Sequence, residues 1–330
     1  MTAVAPMIEA QRPRGRLAAR ARAVGWQLGR IAVSLWALAT LTFLMVHMIP
    51  GDPVRASLGL TAPAELVAER RAALGLDQPL IEQYAAYMGR LSRGDLGTSF
   101  MTQLPVTEVI GQRLVSTLLL GSLSLLLVMV VGVSLGLWVG IRSAGGARRL
   151  DGTFNAASGV VTAMPEFITS VMLTALFAVT LKWLPVAGQS GASSYVLPVL
   201  ALSAAPAAAL ARIVRLEALN ILELDYMRTA RAKRLGWRRL YLAHLLPNCL
   251  TATLAVSGLL FSGLIAGTVL VENIFAWPGL GSAIVLSILQ KDYPLTQGLV
   301  LVFGVLILLI NLGVDLLIAL FDPRSALRHG

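Results

Sequence analysis

The stretch that decides the fold is LVSTLLLGSLSLLLVMVVGVSLGLWVGI, residues 114–141, which is 28 consecutive residues without a charge between Arg113 and Arg142. A helix rises about 1.5 Å per residue, so roughly 20 apolar residues cross the hydrocarbon layer of a bilayer. Three more uncharged runs of comparable length occupy 31–51, 240–271 and 293–314. Across 330 residues, 56% are hydrophobic and only 13% charged. Soluble domains carry about twice that charge. A water-soluble globule and a disordered chain are therefore excluded. A transmembrane β-strand would alternate apolar and polar residues over about ten positions, and these runs do not. The expectation is an all-α, polytopic membrane protein.

Six spans are expected, at 28–49, 114–141, 154–181, 195–218, 249–271 and 297–320. The third is interrupted by Met164, Pro165 and Glu166, and the fourth is Ala-rich with Pro198 and Pro206. Prolines are tolerated inside a span where neighbours satisfy the freed carbonyls. The basic tail 1–27 resembles the start of a signal peptide, but the apolar run after it is too long for one. It is read as an uncleaved first span.

The positive-inside rule sets the orientation. Six Lys and Arg lie at 12–30, three at 142–149, eight at 212–239 and two at 324–328, which makes 19 on one side. The other side has 8, six of them in 50–113 and the others Lys182 and Lys291. The richer side is cytoplasmic, and both termini are expected inside, the last being the short tail 322–330. The net charge of +10 thus flanks spans and does not indicate nucleic acid. Cys249 is the only cysteine, so no intrachain disulfide can form.

The connection 50–113 is expected to be a structured extracytoplasmic cap. Pro63 opens one helix with Glu65 and Glu69 early, and Gly75 follows its end. A second helix starts after Pro79, with Ile81, Tyr84, Met88 and Leu91 on one face and Gly94 after it.

The informative cytoplasmic segment lies between spans four and five, with a helix expected over 220–239. Tyr226, Ala230 and Lys233 fall on one side at helical spacing. The simpler reading is a basic patch on anionic lipid. Against it, Glu217, Glu223 and Asp225 are interspersed, and Thr229-Ala230 offers a small, flat surface.

Asp225-Tyr226-Met227-Arg228-Thr229-Ala230-Arg231-Ala232-Lys233 resembles the cytoplasmic coupling loop of binding-protein-dependent ABC importer permeases, and more narrowly the dipeptide/oligopeptide family. Other stretches match in the same order. They are Ile49-Pro-Gly-Asp-Pro53, Leu74-Gly-Leu-Asp-Gln-Pro-Leu80, Gly94-Asp-Leu-Gly-Thr-Ser99 and Leu184-Pro-Val-Ala-Gly188. Val271-Glu-Asn-Ile-Phe-Ala-Trp-Pro-Gly-Leu-Gly281, Asp292-Tyr-Pro294, Asn311-Leu-Gly-Val-Asp-Leu-Leu317 and Asp322-Pro-Arg324 complete the series. Each motif is weak alone, but their order over 28–324 is specific. The long outer loop resembles the first of the family's two permease subunits. The family usually has glycine directly after the lysine of the coupling motif. Here that position is Arg234, and the glycine is Gly236. The family's Ser-Ile-Pro-Ser in span three reads Ala163-Met-Pro-Glu166.

The resemblance implies the type I ABC importer permease fold, with a five-helix core over 114–321. It implies a multi-pass protein of the cytoplasmic membrane that forms half of a pathway for peptides or related small solutes. The implied partners are a second homologous permease, two ATPase subunits that hold ATP and Mg, and an extracytoplasmic binding protein. Glu223, Asp225, Tyr226, Arg228, Thr229, Ala230, Arg231, Lys233 and Gly236 become the expected ATPase-coupling residues, with Ala230 at the contact.

Other candidates are read on their chemistry. Glu166 is an intramembrane acid, which marks a function unless it is simply solvated. Glu272, Trp277, Pro278 and Gly279 form a gate candidate, with turn capping by Glu272 as the alternative. Asp315 is expected to fix packing. No Gly-Lys pair exists, so there is no P-loop, and no nucleophile or metal constellation stands out. The chain is expected to be neither the ATPase nor another enzyme. A secondary transporter would need coupling-ion residues and usually internal repeats.

Overall fold

The computed structural model describes residues 13–48, 51–59 and 61–321. Residues 1–12 of the expected tail 1–27, the expected tail 322–330 and the side chain of Asp315 lie outside the described residues, while 13–27 is helical and continues into the first span. The first helix, α1, runs Pro13–Met48. Three short cap helices follow: α2 (Pro53–Leu58), α3 (Ala64–Ala73) and α4 (Leu80–Leu91). Then α5 (Val106–Ala144) leads into α6 (Arg148–Ala163) and α7 (Glu166–Leu173). A π-helical turn, Thr174–Thr180, continues α7. After a loop come α8 (Val196–Glu223), α9 (Asp225–Ala232) and α10 (Leu246–Ile274), the last entered through a π-helical turn, Arg239–Leu245. The described residues end with α11 (Leu280–Leu289) and α12 (Tyr293–Phe321).

Among the described residues, five helices are long and apolar enough to cross a membrane, in α1, α5, α8, α10 and α12. The sixth expected span is a broken one. Pro165 cannot continue α6, so the chain turns and α7 leaves at 97° to it. The apolar α11 is too short to cross and was not expected. It packs between the end of α10 and the start of α12, because Ala283 and Ile284 join Ile265, Leu295, Leu299 and Phe303 in one core.

The central contact is α5 against α8. Gly132, Gly136 and Gly140 form one ridge of α5 facing Leu210, Ala211, Val214 and Ala218 of α8. A Cβ on Gly136 would come within 2.6 Å of the Ala211 carbonyl oxygen. Close backbone approach across small residues is the main source of packing between helices in lipid, where the hydrophobic effect does not drive association. This Gly-x3-Gly-x3-Gly ridge was readable in the sequence, but length and charge alone do not reveal it.

In the cap, α3 and α4 form where the prolines and glycines predict. The buried face of α4 carries Tyr84, Met88 and Leu91 as expected, with Tyr87 added and Ile81 left out. Ile81 is 72% exposed, whereas Tyr87 is buried with Ala39 and Phe43 of α1 and Leu301 of α12. The cap therefore rests on the end of α1 that leads into it and on the start of α12. Arg71 fastens its far edge by pairing with both Asp52 and Asp77, each at 3.0 Å.

Candidate functional site: the corner helix, the broken span and the outer turn

The segment 220–239 is not one helix. Residues through Glu223 prolong α8, Leu224 is extended (φ −68°, ψ 148°), and α9 covers only Asp225–Ala232. The end of α9 is a Schellman-type stop. Arg234 adopts φ +51°, and the amide of Leu235 reaches back to the carbonyl of Ala230 at 3.4 Å. Arg234 thus occupies the left-handed position that glycine fills without strain, and Gly236 does not. The family's preference for glycine at this position has its physical reason here.

The faces of α9 also differ from expectation. Met227 and Ala230 are buried against Ile221, Leu222 and Leu240, so Ala230 faces the chain's own core and not a partner. Its small side chain lets α9 lie close to α8, the same steric use that suggested a partner contact. Tyr226 lies one turn before Ala230 on the same side of α9, as expected, but is 42% exposed, whereas Lys233 lies beyond the helix end. The outward face consists of Asp225, Arg228, Thr229 and Ala232, with Glu223, Arg231, Lys233 and Gly236 also exposed. Arg231 donates to the Leu222 carbonyl at 2.7 Å and so caps the end of α8. The Tyr226 hydroxyl accepts from Asn248 at 3.2 Å, tying α9 to the start of α10. Burial pushes the Tyr226 hydroxyl above its usual pKa, with Cys249 adding to the effect. The result is a rigid corner bound to both flanking helices, with a mixed-charge face turned outward.

At the break in the third span, Glu166 opens α7. Its carboxylate lies against Gly267, near the middle of the Val256–Ile274 segment of α10, and a Cβ on Gly267 would overlap it. Among the described residues no side chain pairs with this carboxylate. An ionised acid without a partner at mid-depth is costly, which keeps Glu166 a candidate functional residue.

The turn after α10 is anchored by buried groups. Glu272 is 0% exposed and accepts from Thr117 Oγ1 of α5 at 2.7 Å and from the Ser282 amide at 3.1 Å. The Leu280 amide in turn donates to Thr117 Oγ1 at 2.8 Å. A carboxylate is thus held at the N-terminus of α11, where free amides and the helix dipole favour it. Trp277 is 1% exposed and edge-on to Tyr195 at 4.5 Å. A Cβ on Gly279 would overlap the Glu272 carboxylate, so glycine is required there. Only Pro278 of this group faces outward. The geometry is the turn-capping alternative, a brace between α5, α10 and α11.

The comparisons with known proteins follow this architecture closely. Residues 132–326 match the family model described as the binding-protein-dependent transport system inner membrane component. Residues 24–121 match the model for the N-terminal part of such membrane components. The chain belongs to this family. It is a permease subunit of an ABC importer, a multi-pass membrane protein, and the ATPase resides on separate subunits. The glutathione transport system permease protein GsiC of Salmonella paratyphi A is 39% identical over 290 residues, covering 88% of this chain and 94% of that one. Its counterpart in Shigella dysenteriae serotype 1 is 38% identical over the same length. A chain of the MetNI methionine ABC transporter, in inward-facing form, superposes with a TM-score of 0.58 at 17% identity. It covers 66% of this permease and 97% of that chain, which supports the type I importer fold.

Two polar clusters of the permease escaped the sequence reading. Asp292 is buried and accepts from Ser99 Oγ at 2.5 Å and the Phe100 amide at 3.0 Å. It joins two of the quoted motifs, Gly94–Ser99 and Asp292–Pro294, across the α11–α12 turn. Asp151 of α6 pairs with the nearly buried Arg215 of α8 through Nε at 2.6 Å and also accepts from Ser143 Oγ at 2.8 Å. Spacings of 193 and 64 residues hide both from any local pattern.

Proposed function

We propose that this permease imports short peptides or peptide-like small solutes handed over by an extracytoplasmic binding protein, together with a second homologous permease. The relatives' names support the solute class, since glutathione is a tripeptide. ATP and Mg act on two ATPase partners, and none is expected on this chain. The observation that carries the coupling role is α9 itself. A rigid eight-residue helix, anchored to both α8 and α10 and presenting Asp225, Arg228 and Thr229 outward, suits insertion into a groove of an ATPase. ATP can shift the permease only through different affinities for its two orientations, which demands such a stiff link.

Both termini are placed in the cytoplasm and the cap outside. With Cys249→Ala as background, an impermeant reagent on intact cells should label Ser92→Cys and spare Ser325→Cys. Glu166 is assigned to the pathway. Reconstitution of the whole importer with its binding protein tests the function. Short peptides should accumulate in proteoliposomes only with ATP on the ATPase side. Accumulation without ATPase subunits would refute the reading.

A further inference from the structure

Leu127, Val131, Leu135, Trp138 and Arg142 recur every three or four residues, so they share one face of α5. The first three form one wall of a groove of about 330 Å³ that α5 makes with Ala157 and Val161 of α6 and Ala204 of α8. Phe154 closes the groove on the inside by packing on Val139 and Ala211. Both α5 and α8 are spans, so the groove lies at bilayer depth. The hydroxyls of Ser158 and Ser203 in its lining donate to carbonyls of their own helices, Asn155 and Leu200, each at 3.3 Å. The groove therefore offers a polar ligand no free donor, and it suits a hydrocarbon chain.

The end of the same α5 face is basic. Arg142 lies over the ring of Trp138, 5.9 Å from its centroid, and Trp138 is 48% exposed. The turn after α5 folds back tightly, with Gly146 at φ +94° and the Ala147 amide donating to the Arg142 carbonyl at 3.2 Å. Arg148 and Arg149 at the start of α6 are thereby brought to the same corner. All three arginines are exposed, and among the described residues none is in an ion pair. The acid of this corner, Asp151, is already taken by Arg215 and Ser143. Tryptophan and arginine together suit the headgroup level of a bilayer. From Leu127 to Arg142 the helix rises about 22 Å, close to the depth of one leaflet with its headgroups. One lipid can thus meet the arginines and the groove at once. A helix of a partner subunit is the poorer occupant. Helix contacts in lipid favour small residues, whereas this α5 face is Leu, Val and Trp, and the arginines would still lack an anion.

We infer that this groove and corner bind one anionic phospholipid of the cytoplasmic leaflet, with its phosphate at Arg142, Arg148 and Arg149 and an acyl chain running past Leu135 toward Leu127. The inference rests on the cytoplasmic placement of the α5–α6 turn and not on the identity of the solute.

The test uses the purified complete importer, delipidated in detergent and titrated with dioleoyl-phosphatidylglycerol or dioleoyl-phosphatidylcholine, with bound lipid counted by native mass spectrometry. A saturable site is expected that prefers phosphatidylglycerol by at least about tenfold. Each arginine beside an anionic headgroup contributes roughly fivefold, so Arg142→Gln combined with Arg149→Gln should remove most of this preference. Ala157→Leu fills an exposed part of the groove and should weaken binding of both lipids at the site. None of these changes should lower the melting temperature, because all three positions are exposed. Arg238→Gln combined with Arg239→Gln, in the exposed basic stretch after α9, should leave the preference intact. Equal binding of the two lipids by wild type, or an unchanged preference in the Arg142 and Arg149 variant, would overturn the inference. So would an equal loss in the Arg238 and Arg239 variant, since the preference would then reflect diffuse charge. Loss of the second permease from Ala157→Leu with lipid binding unaltered would also overturn it, since a protein helix would then cover the groove. Micelles have no sides, so an error in orientation would leave these results unchanged and show only in the cysteine labelling.

Discussion

Replacing Glu272 by alanine separates a gate from a brace. The carboxylate is 0% exposed, and its removal leaves Thr117 Oγ1 and the Ser282 amide without their acceptor. Each stranded buried donor costs about 1–3 kcal/mol. Thr117 retains its bond from the Leu280 amide, so the low end applies to it. The sum is about 3 kcal/mol, before any loss from the cavity left between Gly279 and Gly281. At about 2 °C per kcal/mol for a chain of this size, the melting midpoint should fall by roughly 6 °C. Thr117→Val should produce a smaller fall of the same kind, since it removes one donor and one acceptor. The assay is thermal unfolding of the purified importer in detergent, followed by the fluorescence of a maleimide dye reacting with Cys249, which is buried. Transport should decline only in proportion to folded protein. An unchanged midpoint with transport abolished would refute the brace and restore the gate.

Three other outcomes follow from the described contacts. Arg215→Met should destabilise by about 2–3 kcal/mol, below the value for a wholly buried pair because Asp151 is 28% exposed; adding Asp151→Asn should recover part of the loss, and additive melting shifts would contradict the pairing. Burial alone would raise the pKa of Asp52, but the Val54 amide and Arg71 outweigh it and hold the carboxyl below its ordinary 3.8. A depressed carboxyl stabilises above its unfolded value and loses that effect as pH falls through the folded one. The melting difference between wild type and Asp52→Asn should therefore be constant from pH 7 to about 5 and close below pH 4, and a gap that widened on acidification would contradict the linkage. Ala230→Glu places a carboxylate among Met227, Leu222 and Leu240, so it should impair folding of the α8–α9 corner and accumulate poorly in the membrane. Normal yield and melting would show that Ala230 is exposed.

How much of this was legible beforehand depended on the range of the interaction. Charge-free runs reveal spans because the bilayer imposes a length on each one separately, and Pro165 announces the break because it acts on its own neighbours. The cap helices start and stop at Pro63, Gly75, Pro79 and Gly94 for the same local reason. The buried face of α4 was legible at Tyr84, Met88 and Leu91, but Tyr87 was missed because it is recruited by Phe43 and Leu301, which are distant in sequence. Ala230 was assigned to the wrong side because a small residue at a close contact does not say which contact. Motif order identified the family, but the partners of Glu272, Asp292 and Arg215 required the fold.

The most direct test of the coupling role uses the outward face of α9. Thr229 is exposed, and its only described side-chain bond is to its own helix, at the Asp225 carbonyl. Thr229→Arg therefore adds bulk and charge to the docking face without disturbing the corner. An unpaired interfacial charge costs about 2–5 kcal/mol, or about 30-fold or more in affinity. The measurement is the ATPase subunit retained per permease on purification, with melting temperature and partner-permease retention as controls. The account predicts both controls unchanged and ATPase retention reduced at least tenfold. Full ATPase retention by a normally folded Thr229→Arg importer would contradict it.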